Sequence, residues 1–402
     1  MLFQNPFRPG AGHPPPYLAG REVERLEFSK LLRQPVIMTN LVLTGLRGVG
    51  KTVLLEGALK PAARNAGWLW TGNELSETIN LSEEKLAQRL IADLSLLTSQ
   101  FEIDRQVVQG IGFAPHREEH RVTFDHGLME RLYKSTPGLV SDKLKVVLET
   151  AWKVVGPSGP KGIVLAYDEA QNLADRADKD QYPLSTLLDV FQSLQRRGLP
   201  IMLVLTGLPT LFPKLVEART FAERMFKVMV LDRLNDHDRR EAIERPIAHQ
   251  RSPVGFTKAA VDEIALRSGG YPYFIQYIGY ELFDAYLGLH EGLPDPGVTV
   301  AHIVRKLDTD FFSGRWNKVT DRQRELLSII ASLTGADEEF TVQEITETSR
   351  HHGGKPFSAS HVSQMLSTLI DNGLVFKNRH GKYSFAVPMM ADFIRRQVEE
   401  DL

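Results

Sequence analysis

The chain has 402 residues, too many for one ordinary core, so two or three domains are expected. A composition of 42% hydrophobic and 24% charged residues is that of a soluble globular protein, and a formal charge of −2 excludes a general basic coat for nucleic acid, so any DNA contact must be focused. The absence of cysteine excludes disulfides and thiolate metal sites and makes a reducing cytoplasm the expected location. The opening residues have no apolar h-region and no run approaches the length of a membrane span, so neither a signal peptide nor a membrane partner is expected.

Residues 1–20 are rich in Pro and Gly, which favours an extended lead-in. Residues 21–32 have roughly helical spacing through Val23, Leu26, Leu31 and Leu32. Residues 38–44 form a short apolar run that reads as a buried strand, followed by a helical stretch over 51–66 and a second strand at Trp68 to Trp70. A stripe of Leu86, Leu90, Leu94 and Leu97 predicts a helix over 82–97, whereas residues 100–136 are polar and receive no assignment. Apolar runs at 163–167, 201–206 and 226–231, separated by helical patterns at 183–197 and 210–218, predict a parallel α/β sheet with helices on both faces. From 235 to 289 the pattern is only helical, as in a small lid. The turn-rich stretch 289–297 breaks it, and a further helix is expected over 298–312.

The last part has its own pattern. Helices are expected over 322–333, 342–350 and 358–372, the third with Val362, Met365, Leu366 and Leu369 on one face and Gly373 closing it. Two short strands around the turn at Asn378 to Gly381 then form a hairpin. Three helices and a hairpin describe a winged helix. The expected fold class is therefore α/β, with a parallel five-stranded P-loop NTPase core, a helical lid and a C-terminal winged helix. The expected division is lead-in 1–20, core 21–234, lid 235–316 and winged helix 317–402.

Gly45, Leu46, Arg47, Gly48, Val49, Gly50, Lys51 and Thr52 match the pattern G-x-x-x-x-G-K-[ST] between a predicted strand and a predicted helix, the context a phosphate cradle needs. Backbone N–H groups would turn around the β-phosphate, with Val53 continuing the wall. Lys51 is expected to face solvent until it bridges the β- and γ-phosphates of ATP, and Thr52 to ligate Mg²⁺. The strand at 163–167 delivers Asp168 and Glu169 at its carboxyl end, where open α/β sheets bind ligands. Asp168 is expected in the Mg²⁺ shell, and Glu169 as the group that polarises the attacking water. Thr206, ending the next strand, is placed to orient that water or sense the γ-phosphate, or else simply caps a turn. Arg219 and Arg224, just before the following strand, are candidates to reach a neighbouring subunit's nucleotide. His116 to His120 matches a metalloprotease pattern, H-x-x-E-H, but Pro115 and its charged neighbours supply no helix for it.

With Pro14 to Glu22, the P-loop, Tyr167 to Gln171, the Thr206 strand and Gly270-Tyr-Pro in this order, the sequence resembles the AAA+/STAND ATPases of the origin-recognition-initiator-like clade over nearly its whole length. The resemblance implies that Leu18 to Arg21 approaches the adenine and that Pro272 packs against the base. The arginine that origin-type members carry just after this lid turn is missing here. The expected activity is Mg²⁺-dependent ATP hydrolysis, with ATP and ADP as ligands, and a neighbouring copy becomes a partner if an arginine enters in trans. The winged helix leaves two readings open. Its third helix offers Ser358, Ser360, His361, Ser363, Gln364, Ser367 and Thr368 but no cation, while Lys377, Arg379, His380 and Lys382 make the hairpin basic. Residues 318–402 hold ten basic and twelve acidic side chains. DNA is the expected partner. The alternatives are a nucleotide-gated protein-interaction scaffold with little hydrolysis and a transcriptional regulator.

Overall fold

The computed structural model describes residues 4–10, 12–75, 82–109, 116–249, 252, 254–293, 297–352, 355–379 and 381–400. Packing divides the chain into two compact units, one of residues 22–44 and 55–230 and the other of residues 1–21, 45–54 and 231–402.

The first unit is built on a parallel sheet of five strands: β1 (Asn40–Thr44), β2 (Trp68–Thr71), β5 (Gly162–Tyr167), β6 (Ile201–Gly207) and β7 (Phe226–Val230), in the order β2-β5-β6-β1-β7. Every residue of β1, β5 and β6 is buried, which is why these strands read as unbroken apolar runs. Edge strand β7 leaves Val230 exposed. The helices Glu83–Thr98, Val140–Val155 and Pro183–Arg196 contribute Leu90, Leu148 and Leu187 to the core beside the sheet. At the amino end of β1 the fully buried Asn40 exchanges two hydrogen bonds with Gln195 (3.0 and 2.8 Å) and accepts one from the backbone N–H of Leu203 at 2.8 Å. A one-residue slip between β1 and β6 would leave these buried amides unpaired.

Two local expectations need correction, and one stretch without an assignment gains one. Residues 100–136, left unassigned, contain an antiparallel hairpin of β3 (Glu102–Gln109) and β4 (His116–Thr123) and a helix, His126–Ser135, capped by Asp125 on the N–H of Leu128. Largely polar strands carry little periodic signal, and backbone pairing supplied what hydrophobicity did not. The same strand gives residues 116–120 a β conformation, not the helix that a zinc-binding H-x-x-E-H requires. In the helix Glu22–Leu31, Val23 and Leu26 point outward, and Phe28 and Leu31 face the core. The stretch expected as one helix over 51–66 is divided by a π-turn at Leu55–Leu59, just before Pro61, whose missing N–H interrupts the regular ladder.

The second unit contains the helices Asp236–His249, Lys258–Arg267, Pro272–His290 and Val300–Leu307, then a π-turn, Asp308–Phe312, where a continuous helix was expected. Beyond it lie the helices Asp321–Ser332, Val342–Ser349 and Ala359–Asp371, the hairpin β8 (Val375–Arg379) and β9 (Lys382–Phe385), and a last helix, Met390–Glu400, that was not anticipated. The order of three helices and a hairpin follows the expected pattern, and Thr320, Thr341 and Ser358 cap the three helices. Gly373 ends the third with φ 68°, a conformation that spares glycine the Cβ penalty. Phe340 bridges Tyr383 and so adds a short third rung to the hairpin.

One hydrophobic core runs without interruption from Ile243 and Ile278 through Phe312 to Leu366 and Phe393. The buried Asp308 accepts two hydrogen bonds from Arg396, at 2.8 and 2.6 Å, tying the π-turn to the last helix. Asp308→Ala leaves this guanidinium without its carboxylate. A loss of roughly 2–3 kcal/mol is expected, below that of a fully buried pair because Arg396 keeps some solvent access. Denaturant unfolding of the full chain measures it, and an unchanged midpoint would show that the pair contributes nothing net.

Candidate nucleotide-binding site

The chain leaves β1 at Thr44 directly into the loop Gly45 to Thr52. Gly48 and Gly50 adopt φ of 77° and 93°, open to glycine and poorly tolerated by other residues. The loop backbone is held from three sides. Arg21, a buried cation, donates to the carbonyls of Val49 (3.1 Å) and Asp232 (2.9 Å). The N–H of Tyr273 donates to the carbonyl of Gly48 at 3.1 Å. Lys51 donates to the carbonyls of Gly45 and Leu46, both at 3.0 Å. The expectation that its ammonium faces solvent is thereby corrected: Lys51 is only 6% exposed, because the loop curls its own carbonyls over a cation that would otherwise be buried without acceptors.

The lid turn closes on the same loop. Tyr271 precedes the helix Pro272–His290, Pro272 occupies its first turn, and its Cγ would lie 4.0 Å from a Cβ placed on Gly50. A Cβ on Gly48 would approach that of Tyr273 to 3.1 Å. Thr52 and Val53, on the first turn after the loop, are half-buried.

The acidic pair stands in the parallel sheet, at the carboxyl end of β5. Tyr167 pairs with Leu205 of β6, and Thr44 of β1 pairs with Gly207, so the ends of the three central strands lie side by side. Asp168 is buried and accepts from the hydroxyl of Thr206 and from the N–H of Glu169, the latter at 2.8 Å. Thr206 thus stands beside the carboxylates as expected, and its hydroxyl is engaged with Asp168. Glu169 has φ 52° and ψ 36°, an uncommon left-handed conformation for a residue with a side chain, of the kind that collects at functional sites. Its carboxylate accepts from the side-chain amide of Gln171, whose oxygen in turn accepts from the N–H of Leu208 at 3.1 Å. Gln171 was not singled out as a site residue, although it is the last residue of the Tyr167 to Gln171 motif.

The two candidate arginines differ. Arg219 is clamped by Asp189 through two hydrogen bonds, at 2.9 and 2.7 Å, and by Ser185 at 2.8 Å, and this pairing raises its pKa. Arg224, in the short helix Ala222–Met225 before β7, is exposed and makes no side-chain hydrogen bond among the described residues. It stands at the amino-terminal edge of the sheet, away from the acidic pair of its own chain, beside a cleft of about 340 Å³ lined by Val36, Met38, Arg196 and Phe221.

The donor set suits a magnesium nucleotide. Positive-φ glycines leave room against the loop backbone, Lys51 already holds two oxygens at hydrogen-bond distance, and the Thr52 hydroxyl and the Asp168 carboxylate are each oxygen donors of the kind a hard cation takes.

Sheet order and the loop after β1 define an α/β P-loop NTPase fold of AAA+ type. Among solved structures the chain is similar to the Walker-type ATPase PABY2304 of Pyrococcus abyssi, at 16% identity and TM-score 0.59, covering 94% of this chain and 96% of that one. It is also similar to the Aeropyrum pernix ORC2 protein in its ADPNP-ADP complexes, at 12% identity and TM-score 0.52, covering 98% and 97%. At such identities the likeness establishes the fold. Residues 309–394 match a family model described as a domain of unknown function, DUF8462. No curated protein matches. Among the described residues, no helix is long and apolar enough to cross a membrane.

Gly45 tests how tightly the cradle is packed. A Cβ there would lie 2.6 Å from the carbonyl oxygen of Leu231 and 2.9 Å from a methyl of Val49. Gly45→Ala is therefore expected to destabilise the fold by about 1–3 kcal/mol even without any ligand. Unfolding of the parent and the variant in nucleotide-free buffer measures this, and equal midpoints would mean the loop relaxes freely.

Proposed function

We propose that the chain is an Mg²⁺-dependent ATPase that acts as a molecular switch, with ATP bound by the P-loop and the lid turn and its hydrolysis governing the C-terminal winged helix. The observation that carries this reading is the direct closure of the lid on the P-loop through Tyr273 and Gly48, in the same packing unit as the C-terminal helices. The ADPNP-ADP complexes of the similar Aeropyrum protein support a nucleotide as the ligand.

In this reading Lys51 exchanges the carbonyls of Gly45 and Leu46 for phosphate oxygens, the loop N–H groups and Val53 enclose the phosphates, and Arg21 and Pro272 fix the adenine side. Thr52 and Asp168 would hold Mg²⁺, which supplies charge neutralisation on the phosphates when bound. Thr206 keeps Asp168 in place, and Glu169, aimed by its left-handed backbone and by Gln171, accepts the proton of the attacking water. Arg224 is the residue available to a neighbouring copy. The cytoplasm is the compartment in which a chain without cysteine carries out this chemistry.

Lys51→Ala is expected to abolish tight Mg·ATP binding, whereas Glu169→Gln keeps binding and loses turnover because an amide cannot take the proton. Calorimetric titration and steady-state phosphate release distinguish the two. A folded Lys51→Ala protein with parental ATP affinity would sink the assignment, and a Glu169→Gln protein hydrolysing at the parental rate would move the base elsewhere.

The winged helix is assigned to DNA, with the hairpin supplying the attraction. Ser360, His361, Ser363, Gln364 and Ser367 line the exposed face of the helix Ala359–Asp371, so base-edge hydrogen bonds come from polar groups alone. Lys377 is exposed and Lys382 half-buried, while His380 lies outside the described residues. One feature favours a protein partner instead: Glu339 binds Asn378 at the hairpin turn and brings a carboxylate to the surface meant for phosphate. Neutralising Lys377, Arg379 and Lys382 together should weaken binding to every DNA sequence and flatten the salt slope by roughly 2 to 3 units. Fluorescence anisotropy at several salt concentrations, with and without ATP, reads the slope. A parent without DNA affinity at low salt would leave the protein-docking scaffold as the reading.

A further inference from the structure

Residues 5–8 are seated on the helices of the second unit, far along the chain from where they begin. Phe7 is buried in a small core of its own with Val254 and Phe283, its ring centre 5.8 Å from that of Phe256 and 6.3 Å from that of Phe283. The seat is cut into the helix Pro272–His290, where a Cβ on Gly279 would lie 2.6 Å from the Phe7 ring. Asn5 shapes the turn that delivers the ring. Its side-chain oxygen accepts from the N–H of Phe7 at 2.9 Å, and its amide donates to the carbonyl of Tyr280 at 2.9 Å and to the carboxylate of Asp284 at 2.7 Å. The N–H of Arg8 donates to the side chain of Gln276 at 2.9 Å, so Gln276, Gly279, Tyr280 and Asp284 receive residues 5–8 along one stripe of the helix.

The same helix opens with Pro272 and Tyr273, and the N–H of Tyr273 holds the carbonyl of Gly48. From Phe7 the chain then runs back to the P-loop. Four of the eight residues 9–16 are proline, and among the described ones none is buried, so the stretch is stiff but has no core of its own. Arg8 donates to the carbonyl of Pro14 at 3.4 Å, and a Cβ on Gly12 would lie 3.7 Å from the Thr52 methyl, so the stretch passes beside the first turn after the P-loop. Beyond it the hydroxyl of Tyr17 donates to Glu241 at 2.8 Å, and Arg21 reaches the carbonyl of Val49. A stiff segment without a core takes its position from the anchors on either side.

We infer that Asn5 and Phe7 are positioning residues for the nucleotide site. Seated on the lid helix, they keep the lead-in beside the P-loop and Arg21 on the carbonyl of Val49, so that the cradle is formed before a nucleotide arrives. The inference rests on the proposed nucleotide site. A cradle that is formed only about a tenth of the time binds about tenfold more weakly, because apparent affinity scales with the competent fraction. Unseating the ring therefore acts on binding and leaves the groups assigned to hydrolysis in place.

Two substitutions unseat the ring from opposite sides. Phe7→Ala removes it, and Gly279→Ala fills the space it needs while favouring the helix, where alanine is better tolerated than glycine. With Mg²⁺ present, calorimetric titration should show ATP and ADP affinities reduced about tenfold in each variant. The double variant should be no weaker than either single one, because both remove the same contact. Phe7→Leu keeps an apolar group in the seat and should recover most of the affinity. In steady state the ATP concentration at half-maximal turnover should rise by the same factor, with kcat within about twofold of the parent. Thermal unfolding without nucleotide separates unseating from loss of fold, and Gly279→Ala carries the test if Phe7→Ala does not fold. Parental affinities in either folded variant, or a fall in kcat at unchanged half-saturation, would overturn the inference while leaving the nucleotide site standing. A parent that binds neither nucleotide would overturn the site and the inference together.

Discussion

Everything proposed for this molecule depends on how the backbone of Gly45 to Thr52 is held. Two donors from distant parts of the sequence and one from the loop itself converge on its carbonyls: Arg21 on Val49, Tyr273 on Gly48, and Lys51 on Gly45 and Leu46. With these carbonyls engaged, the shape of the loop is set by the protein itself. The arrangement also explains the buried Lys51. An ammonium withdrawn from water needs acceptors, and in the free protein the loop supplies them from its own backbone.

The carboxyl end of β5 follows a different rule. There the chain holds a carboxylate, Asp168, in a buried position by giving it the hydroxyl of Thr206 and an N–H, and then turns through a left-handed residue that carries a side chain. The strain at Glu169 is small against the surrounding sheet, where β1, β5 and β6 are buried along their whole length. A rigid, fully paired sheet can hold one strained residue in place, and the bond from Gln171 fixes where its carboxylate points.

The C-terminal part is mechanically simple. Aromatic rings from Tyr273 through Phe311 and Phe312 to Phe393 form a packed series, and the Asp308–Arg396 pair closes it at the last helix. Side chains packed at interior density do not deform gradually. This gives a physical reason for a lid and a C-terminal segment to share one core.

Much of this could be read in the sequence, because short-range patterns carried it. Buried parallel strands must be continuous apolar runs, a phosphate loop needs its glycines and lysine at fixed spacing, and a strand end must present Asp168 and Glu169 next to each other; none of these depends on distant residues. What the sequence left unassigned or misjudged depends on long-range placement. The hairpin of β3 and β4 is specified by backbone pairing between polar strands, and the outward orientation of Val23 and Leu26 follows from which face of their helix meets the core. The burial of Lys51 required the loop to fold back on itself, and the place of Gln171 required Leu208 to arrive beside it. Sequence by itself determined which chemical groups the protein has and the order of the elements that carry them. Only the tertiary structure decided which of those groups are satisfied by protein and which are left for a ligand, since that depends on what distant residues bring within hydrogen-bond reach.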